Sequence, residues 1–512
     1  MSKIEIERRD FMKFMGSGAI VAASAGFAMN LMPTAAEAAQ PVEFPQKWDE
    51  ELDFVVIGSG FAGHAAAIEI GKNGGNVTIL EKNAIIGGNS IISGGGYATW
   101  TNKLQLRQKL DKGEDSAEQQ YADMLKGGDY YNIPELVKVM VNGAPDELNF
   151  MLDEGGLTMR PIVGKPGGHS AFRQHFAVDG TGKNFIDAQT KIAAKYSNIK
   201  LRTENKVARI WRKDPLSPVE GIAVEARRGT SNIKIRKGLI LASGGFGNDA
   251  AMRSMFNPSV VPAYNCTNQK NATGEIIRYA QSIGSDALQL CFIQLFPTCD
   301  PDTGALDTYG AFASRAPGIG GIFVNTNGVR FVSESERRDV ISRAAMDTGA
   351  DRTYYIFSEA MIPNLGRPDE VEAGIEVKRI FKADTIADLA KAVDLPEKEL
   401  ENTVKSHNQF VADKKDSQFN KPVTSQMLPL DKGPFYVVPI WPAVHHTMGG
   451  LRINTSAQVV DIWGDPIPNL YAAGEVAGGV HGNNRLAGSA IPDAFVFGKV
   501  AGATAMAKAP KV

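Results

Sequence analysis

The sequence predicts an α/β protein in which a domain with a parallel sheet is interrupted by a second, α+β domain. A glycine-rich segment lies between two apolar runs near the start of the chain, at 52–82. Strand-like and helix-like segments of the same kind return after residue 446. Between 291 and 446 this alternation disappears. A strand–helix–strand rhythm is typical of a parallel sheet covered by helices, and its interruption indicates an insertion.

The glycine-rich segment has the order strand, turn, helix, strand. Phe54–Ile57 and Val77–Leu80 are short apolar runs, which are typical of buried parallel strands. The GSGFAG between them matches a fingerprint whose glycines permit a tight turn, close approach to a pyrophosphate and close helix–strand packing. An acid follows about 20 residues later, where it can bind ribose hydroxyls. The segment therefore predicts a Rossmann-like dinucleotide-binding domain that uses Gly58, Gly60, Gly63 and Glu81. The alternative is an ordinary α/β protein with a glycine-rich turn.

Composition excludes some classes of protein. The chain has 512 residues and a net charge of −2, which argues against a nucleic-acid binder with a basic surface. Its three cysteines, Cys266, Cys291 and Cys299, form no CxxC or CxxCH motif, so neither a covalent c-type haem nor a metal site is expected. Cys291 and Cys299 are able to pair, although two buried free thiols are the simpler interpretation.

The N-terminus, residues 1–39, is interpreted as an export signal. Arg8 and Arg9 begin a segment that resembles the twin-arginine signal, a mildly apolar stretch follows, and small residues near Ala38 permit cleavage. A disordered tail is the alternative. Because this route carries folded proteins, it suits a cofactor protein destined for the periplasm. No later stretch is long and apolar enough to predict a membrane span.

Loops, helices and a strand meander are predicted between the first βαβ unit and the insertion. Glycine-rich loops at 87–90 and 93–96 permit close backbone approach to a ligand. The other predicted segments are helices at 116–124, 134–152, 185–196 and 274–283, a loop at 164–184, and strands at 206–211, 219–226 and 233–241.

The inserted segment is predicted to form an α+β capping domain. Thr385 and Asp388 resemble a capping box. Pro396 is expected at the first position of a helix that runs to Val411. The chain then returns to the first domain and ends in a helix from Ala490. The predicted boundaries are 48–290 and 447–510 for the first domain and 291–446 for the second.

Several segments resemble a known family when they are taken with the glycine-rich one. They are GGN at 87–89, ASGGF at 242–246, HHTMGG at 445–450 and AAGEVAGGVHGNNRLAGSAI at 472–491. Together with the signal-like N-terminus, they resemble the flavoprotein part of the periplasmic fumarate reductase family. This family includes flavocytochromes c and the related urocanate and methacrylate reductases. The resemblance runs from residue 50 to residue 510.

The resemblance implies non-covalent FAD and an electron donor on another protein. The flavocytochromes carry haems in an extra domain, and this sequence has no CxxCH motif. A separate periplasmic c-type cytochrome, as part of anaerobic respiration, is therefore the expected donor. Glu275 fills a position that the family usually gives to Asp. The residues expected to contact FAD are Gly58, Gly60, Gly63, Glu81, Lys82, Gly87, Gly88, Asn89, Ser90, Gly95, Ala242, Glu275, His445, Glu475, Ala490 and Ile491.

The resemblance also implies reduction of a C=C bond conjugated to a carboxylate. In this family flavin N5 gives hydride to one carbon, and an arginine gives a proton to the other. His446 and Arg485 match the carboxylate-binding residues, Gly488 lies in the same motif, and Arg338 matches the proton donor. An arginine acid is unusual because its pKa exceeds about 12. A relay is therefore needed to reprotonate it.

Two departures from the family bear on the substrate. Phe296 stands where fumarate reductases have a histidine that holds a second carboxylate. A phenyl ring cannot bind a carboxylate, but it packs against apolar or aromatic groups. The sequence thus predicts a reductase of a monocarboxylic 2-enoate of the methacrylate, acrylate, cinnamate or urocanate type. In the relay, Ser314 and Pro317 replace a glutamate and an arginine. The candidate substitutes are Arg315, also a candidate substrate ligand, Glu334 and Glu336.

Three alternatives remain open at this point. A true fumarate reductase would hold the second carboxylate with another group, such as Arg173 or His175. A 3-ketosteroid-type dehydrogenase would need an acid–base tyrosine, for which Tyr264 and Tyr309 are candidates. A flavin-bearing electron carrier would have lost its substrate site. The HHT and NRL segments argue against the second alternative.

Overall fold

The computed structural model describes residues 43–260, 263–307, 309–310, 316–365 and 368–509. The predicted export signal at 1–39 lies outside these residues, as do Ser314 and Arg315. Within them the strands are β1 (Glu50–Ile57), β2 (Val77–Leu80), β3 (Gly96–Ala98), β4 (Met159–Gly164), β5 (Gln174–Ala177), β6 (Ile199–Arg202), β7 (Lys206–Arg212), β8 (Val219–Ala226), β9 (Gly229–Leu241), β10 (Ala287–Leu288), β11 (Ile293–Cys299), β12 (Ile322–Val324), β13 (Thr353–Ser358), β14 (Phe381–Ala383), β15 (Phe435–Thr447), β16 (Gly450–Leu451), β17 (Gln458–Val460) and β18 (Pro466–Ala472).

The helices of the described residues alternate with these strands. They are α1 (Phe61–Lys72), α2 (Gly88–Ile91), α3 (Leu106–Lys109), α4 (Ala117–Gly127), α5 (Pro134–Glu154), α6 (Lys183–Ala193), α7 (Ala250–Phe256), α8 (Glu275–Ser282), α9 (Arg338–Asp347), α10 (Ile362–Leu365), α11 (Pro368–Glu376), α12 (Ile386–Ala392), α13 (Glu397–Ala412) and α14 (Ala490–Lys508). Short 3₁₀ helices cover Ala316–Ile319, Glu359–Met361 and Gly474–Val476. No described helix is long and apolar enough to cross a membrane.

The largest sheet is built around β1 and has the order β17-β18-β9-β1-β2-β6. The pairings from β18 to β6 are parallel, and β7 and β8 extend β9 as the predicted antiparallel meander. This arrangement confirms the predicted α/β class with a parallel sheet. In such sheets ligands bind beyond the carboxyl ends of the strands, which here include the turn after Ile57.

Helices α1 and α14 pack closely against each other beside the sheet. A Cβ on Gly498 or Gly502 would come too close to the backbone of Ala62 or Ala66. Glycine is therefore required where the two backbones touch. The ring of Phe61, at the start of α1, lies 5.4 Å from the ring of Phe495 in α14. The two helices, which sequence reasoning predicted separately, are therefore neighbours near their N-terminal ends.

Besides the hydrophobic core around the largest sheet, a second hydrophobic cluster is formed by β12, β13, β15 and neighbouring helices. These strands belong to the antiparallel sheet β11-β15-β13-β12, in which β14 also pairs with β15. Strand β15 is long enough to extend from this cluster, at Phe435, to the pair His445–His446. Thr385 caps α12 as predicted by accepting a hydrogen bond from the Asp388 amide. Pro396 immediately precedes α13 rather than beginning it. The predicted boundaries at 291 and 446 remain a prediction.

Two expectations were wrong. The segment 164–184 is not a loop throughout, because β5 lies inside it and pairs with β3 and β4. The segment Gln174–Ala177 is short and contains polar residues, so its sequence pattern did not predict a strand. All three cysteines are free, but only Cys299 is buried, whereas Cys291 is exposed.

A cluster of buried charged side chains stabilises the domain that contains the second hydrophobic cluster. Glu334 pairs with Arg330 through both carboxylate oxygens at 2.9 Å and lies 3.0 Å from Lys421. Burial opposes ionisation of Glu334, but the charges and hydrogen bonds of Lys421 and Arg330 outweigh it and hold its pKa at about 2. Glu334 is therefore ionised in the folded protein, where it pairs with the side chains of Arg330 and Lys421.

We expect Glu334→Gln to lower the free energy of unfolding by about 3–5 kcal/mol, because it leaves buried cations without their partner. Urea denaturation measures this loss. The control is Glu399→Gln at an exposed position of α13, which should change stability by less than about 0.5 kcal/mol. Because the folded pKa lies below the ordinary 4.5, the stabilisation is complete above that pH and disappears as the pH falls toward 2. Equal losses for the two variants would contradict the assignment.

Candidate active site

A large cavity lies where the glycine-rich turn, β11, β15, α9 and the start of α14 meet. Its volume is about 1550 Å³. Sites for drug-sized ligands occupy roughly 300–1,000 Å³, so this cavity has room for a large cofactor and a small substrate together.

The glycine-rich turn forms one wall and behaves as predicted. Gly58 has φ +103°, and a Cβ there would clash with the carbonyl group of Ala242. A Cβ on Gly63 would clash with the carbonyl oxygen of Gly58. Gly63 does not line the cavity, so its role is the close packing of α1 rather than contact with a ligand. Gly60 has no side chain of its own to cap α1, and the Ser90 hydroxyl accepts a hydrogen bond from the Phe61 amide at 3.0 Å.

Glu81 is held in a defined orientation beside the turn. Its Oε2 accepts hydrogen bonds from the Ser59 amide at 3.1 Å and hydroxyl at 2.6 Å, and its Oε1 accepts one from the Asn83 amide at 2.9 Å. Lys82 and Glu275 form an ion pair of 2.6 Å in the same wall. The carboxylate of Glu275, at a position where the resemblance implies Asp, thus binds Lys82.

The structure brings nearly all predicted cofactor residues to this cavity. These are Gly58, Gly60, Glu81, Lys82, Gly87, Gly88, Asn89, Ser90, Gly95, Ala242, Glu275, His445, Glu475, Ala490 and Ile491. A backbone cradle that Cβ atoms would fill, a helix N-terminus that begins at a glycine and a carboxylate near the strand ends suit a dinucleotide such as FAD. Their individual roles remain predictions.

Two arginines meet at one amide in the opposite wall. Arg485 Nη2 donates to Gln294 Oε1 at 2.9 Å, and Arg338 Nη1 donates to the same oxygen at 3.4 Å. Gln294 Nε2 in turn donates to Asn484 Oδ1 and to the Arg485 carbonyl oxygen, both at 2.7 Å. Sequence reasoning missed Gln294 as a site residue. Its position two residues before Phe296 in one strand was the available signal.

The pKa of the Arg338 guanidinium is lowered well below its usual range, first by burial and then by the charge of Arg485. Burial also lowers the pKa of Arg485, to about 10, although nearby Glu475 and Asp493 oppose that effect. Arg485 therefore stays charged at neutral pH. The environment makes Arg338 a stronger acid than an ordinary arginine, which answers the chemical objection raised by the sequence.

His446 lies in the same wall and is neutral at neutral pH. Burial, followed by the charge of Arg485, lowers its pKa well below 6.5. Its Nδ1 lies 3.6 Å from Glu475 Oε1, which accepts hydrogen bonds from the Thr447 amide at 2.9 Å and hydroxyl at 3.2 Å. Burial raises the pKa of Glu475. A neutral imidazole offers one N–H donor to a ligand and one acceptor to its surroundings.

Phe296 lies between two site residues. Its ring centroid is 4.4 Å from Arg338 Cζ and 5.0 Å from the ring of His445. Only 3% of Phe296 is exposed. Gly488 lines the cavity nearby, whereas Arg315, the remaining predicted substrate ligand, lies outside the described residues.

Several residues kept as alternatives are not part of the cavity. Arg173 is fully buried and bound to Asp115 and Asp123, and His175 bonds to Asn102 and to a backbone carbonyl. Neither lines the cavity, and the same holds for Tyr264 and Tyr309.

Glu334 touches the cavity wall, but it is engaged in the charge cluster described above. Glu336 lines the cavity and is exposed.

The family described as FAD binding domain matches residues 53–491. Urocanate reductase of Eggerthella lenta is 37% identical over 91% of this chain and 76% of its own length. The acrylate reductase flavoprotein subunit of Shewanella woodyi is 31% identical over 96% of this chain and 97% of its own.

A solved structure, described as the open conformation of a flavocytochrome c3 fumarate reductase, has a TM-score of 0.75 and 31% identity. The match spans 91% of this chain and 79% of the chain in that structure. These findings confirm the resemblance inferred from the motifs. The chain belongs to the FAD-binding oxidoreductase family that includes urocanate, fumarate and acrylate reductases.

Proposed function

We propose that the protein reduces the C=C bond of a monocarboxylic 2-enoate. One observation carries the proposal: Arg485, His446 and Arg338 line the same cavity, the two arginines share Gln294 Oε1, and Phe296 lies against Arg338. The first three are side chains that can bind a carboxylate and supply a proton. Phe296 offers no donor for a second carboxylate, which argues against a dicarboxylate substrate.

The substrate carboxylate binds to Arg485 and His446 in this proposal. Arg485 is charged and presents planar N–H donors that match a carboxylate. Neutral His446 adds one N–H donor without adding charge. Charge that develops toward the carboxylate during reduction is stabilised by these donors, because they are buried and already oriented.

FAD, when bound, supplies the hydride that one alkene carbon receives. Arg338 transfers a proton from its guanidinium to the other carbon, so the alkene gains one hydride and one proton. Its lowered pKa makes that transfer less unfavourable. Neutral Arg338 then regains a proton from solvent. Glu336 is a candidate for this step, because it is exposed and lines the same cavity.

The cellular setting is part of the proposal. The twin-arginine-like N-terminus supports export to the periplasm, and the sequence has no CxxCH motif of its own. A separate c-type cytochrome therefore supplies electrons to non-covalently bound FAD. A flavocytochrome among the similar structures supports a cytochrome donor.

We expect FAD-loaded protein to oxidise reduced methyl viologen rapidly with at least one of acrylate, methacrylate, cinnamate or urocanate, and much more slowly with fumarate. Spectrophotometry of the viologen measures the rate. In Phe296→His, the ratio of activity with fumarate to activity with the preferred enoate should rise, because the imidazole supplies a donor for a second carboxylate. Strong preference of the wild type for fumarate would refute the role given to Phe296. No oxidation by any enoate would instead favour an electron carrier.

Binding of a saturated monocarboxylate product should be nearly constant from about pH 6.5 to about pH 8. The reason is that His446, with its pKa held well below 6.5, stays neutral over this range. Isothermal titration calorimetry of FAD-loaded protein measures the dissociation constant. A marked weakening as the pH rises through about 6.5, absent in His446→Gln, would show that His446 is normally protonated.

Arg337, next to the proposed donor, anchors this segment to the turn after α4. Its Nη2 donates to Asp129 Oδ2 at 3.0 Å, and Asn483 donates to the same oxygen at 2.8 Å. We expect Arg337→Ala and Asp129→Ala each to lower kcat about 2- to 5-fold, because a partly exposed pair contributes up to about 1 kcal/mol.

The loss in the double variant of Arg337 and Asp129 should be smaller than the sum of the two single losses, because both changes remove the contact between these residues. Arg343→Ala, an exposed arginine of the same helix, is the matched control and should have no effect. Additive losses in the double variant would show that the two residues act independently.

A further inference from the structure

The ring of Phe296 lies close against the guanidinium group of Arg338. A guanidinium within about 6 Å of a ring centroid is attracted to the ring face. Here Arg338 Cζ lies 4.4 Å from the centroid, which is a stacked distance. The ring also contacts His445 at 5.0 Å and packs with Cys299 and Ala443.

Little of the surface of Phe296 is accessible to a substrate. The residue borders a large cavity, yet only 3% of its surface is exposed. Arg338, by contrast, is only partly buried and faces the cavity. The ring is therefore covered largely by Arg338 and its other neighbours, and Arg338 stands between much of the ring and the cavity.

Arg338 has few other constraints among the described residues. Its hydrogen bond to Gln294 Oε1 is 3.4 Å long, beyond the usual range of about 2.7–3.2 Å. A guanidinium on a flexible side chain needs more than one long hydrogen bond to hold its plane. The flat face of Phe296 supplies the missing restraint, and both restraints come from strand β11.

We propose that Phe296 is a positioning residue that acts through Arg338: its ring fixes the plane of the guanidinium so that an N–H points at the substrate carbon. The proposal rests on the proposed function, in which Arg338 is the proton donor. It also changes the meaning of the sequence departure at 296. The phenyl ring here holds the acid, in addition to denying a ligand to a second carboxylate.

The consequence is a separation of kinetic effects. The substrate carboxylate is anchored by Arg485 and His446, so loss of the ring should leave KM almost unchanged. Proton transfer depends on the orientation of Arg338, and a misplaced catalytic group costs roughly 10- to 100-fold in rate. A ring that only contacted substrate would act mainly on KM.

The test uses full-length FAD-loaded protein and the enoate found in the viologen assay. Phe296→Leu removes the ring but keeps apolar bulk, and Phe296→Tyr keeps the ring face. We expect kcat to fall roughly 10- to 100-fold in Phe296→Leu with KM within a factor of about 2, and the solvent deuterium isotope effect to rise. Phe296→Tyr should recover most of the lost rate. Phe357→Leu, the same change in the second core, is the control for lost packing.

A second readout does not depend on activity. In protein labelled at arginine, the Arg338 guanidinium resonances, assigned with Arg338→Lys, should show an upfield ring-current shift. The shift should disappear in Phe296→Leu and persist in Phe296→Tyr. An effect confined to KM, an unchanged isotope effect, or no ring-current shift in the wild type would each overturn the proposal. A wild type with the shift but no enoate activity would refute the proposed function and leave the stacking established.

Discussion

Two guanidinium groups converge on the side-chain oxygen of Gln294, and the chemistry proposed for the site depends on that contact. Because the amide is neutral, it accepts hydrogen bonds from Arg485 and Arg338 without cancelling their charges. The positive wall suits an anionic substrate. The same closeness of like charges, together with burial, lowers the pKa of Arg338. A carboxylate at 294 would favour the charged form of both arginines and make Arg338 a weaker acid.

The remainder of the structure holds this contact in place. Gln294 is oriented by Asn484 and by the carbonyl of Arg485, so the loop that supplies one arginine also fixes the acceptor. The strand that carries Gln294 pairs with β15, which leads from the second hydrophobic cluster to His446. The side chain of Arg337 ties the other arginine to the turn at Asp129. Gln294, His446 and the two arginines are therefore positioned by different parts of the chain.

Much of the fold was predictable because its signals are local. The strand at Phe54–Ile57, the helix after Gly60 and the terminal helix from Ala490 follow from apolar runs and glycine spacing. The glycine-rich part of the cavity lining was predictable for the same reason, since its residues belong to continuous motifs. The strand at Gln174–Ala177 was not, because its pairing with β3 and β4 depends on residues distant in sequence. The burial of Arg173 likewise appears only in three dimensions.

The sequence by itself determined the class of protein: an α/β fold, a dinucleotide turn that only glycine can form, and Arg338, His446 and Arg485 as candidate site residues. Only the tertiary structure decided the environment in which these side chains lie. The pKa of Arg338, the neutrality of His446 and the stacking of Phe296 depend on burial and on distances between side chains far apart in the chain. Motifs record which groups are present, whereas the energies of charges and rings depend on what surrounds them.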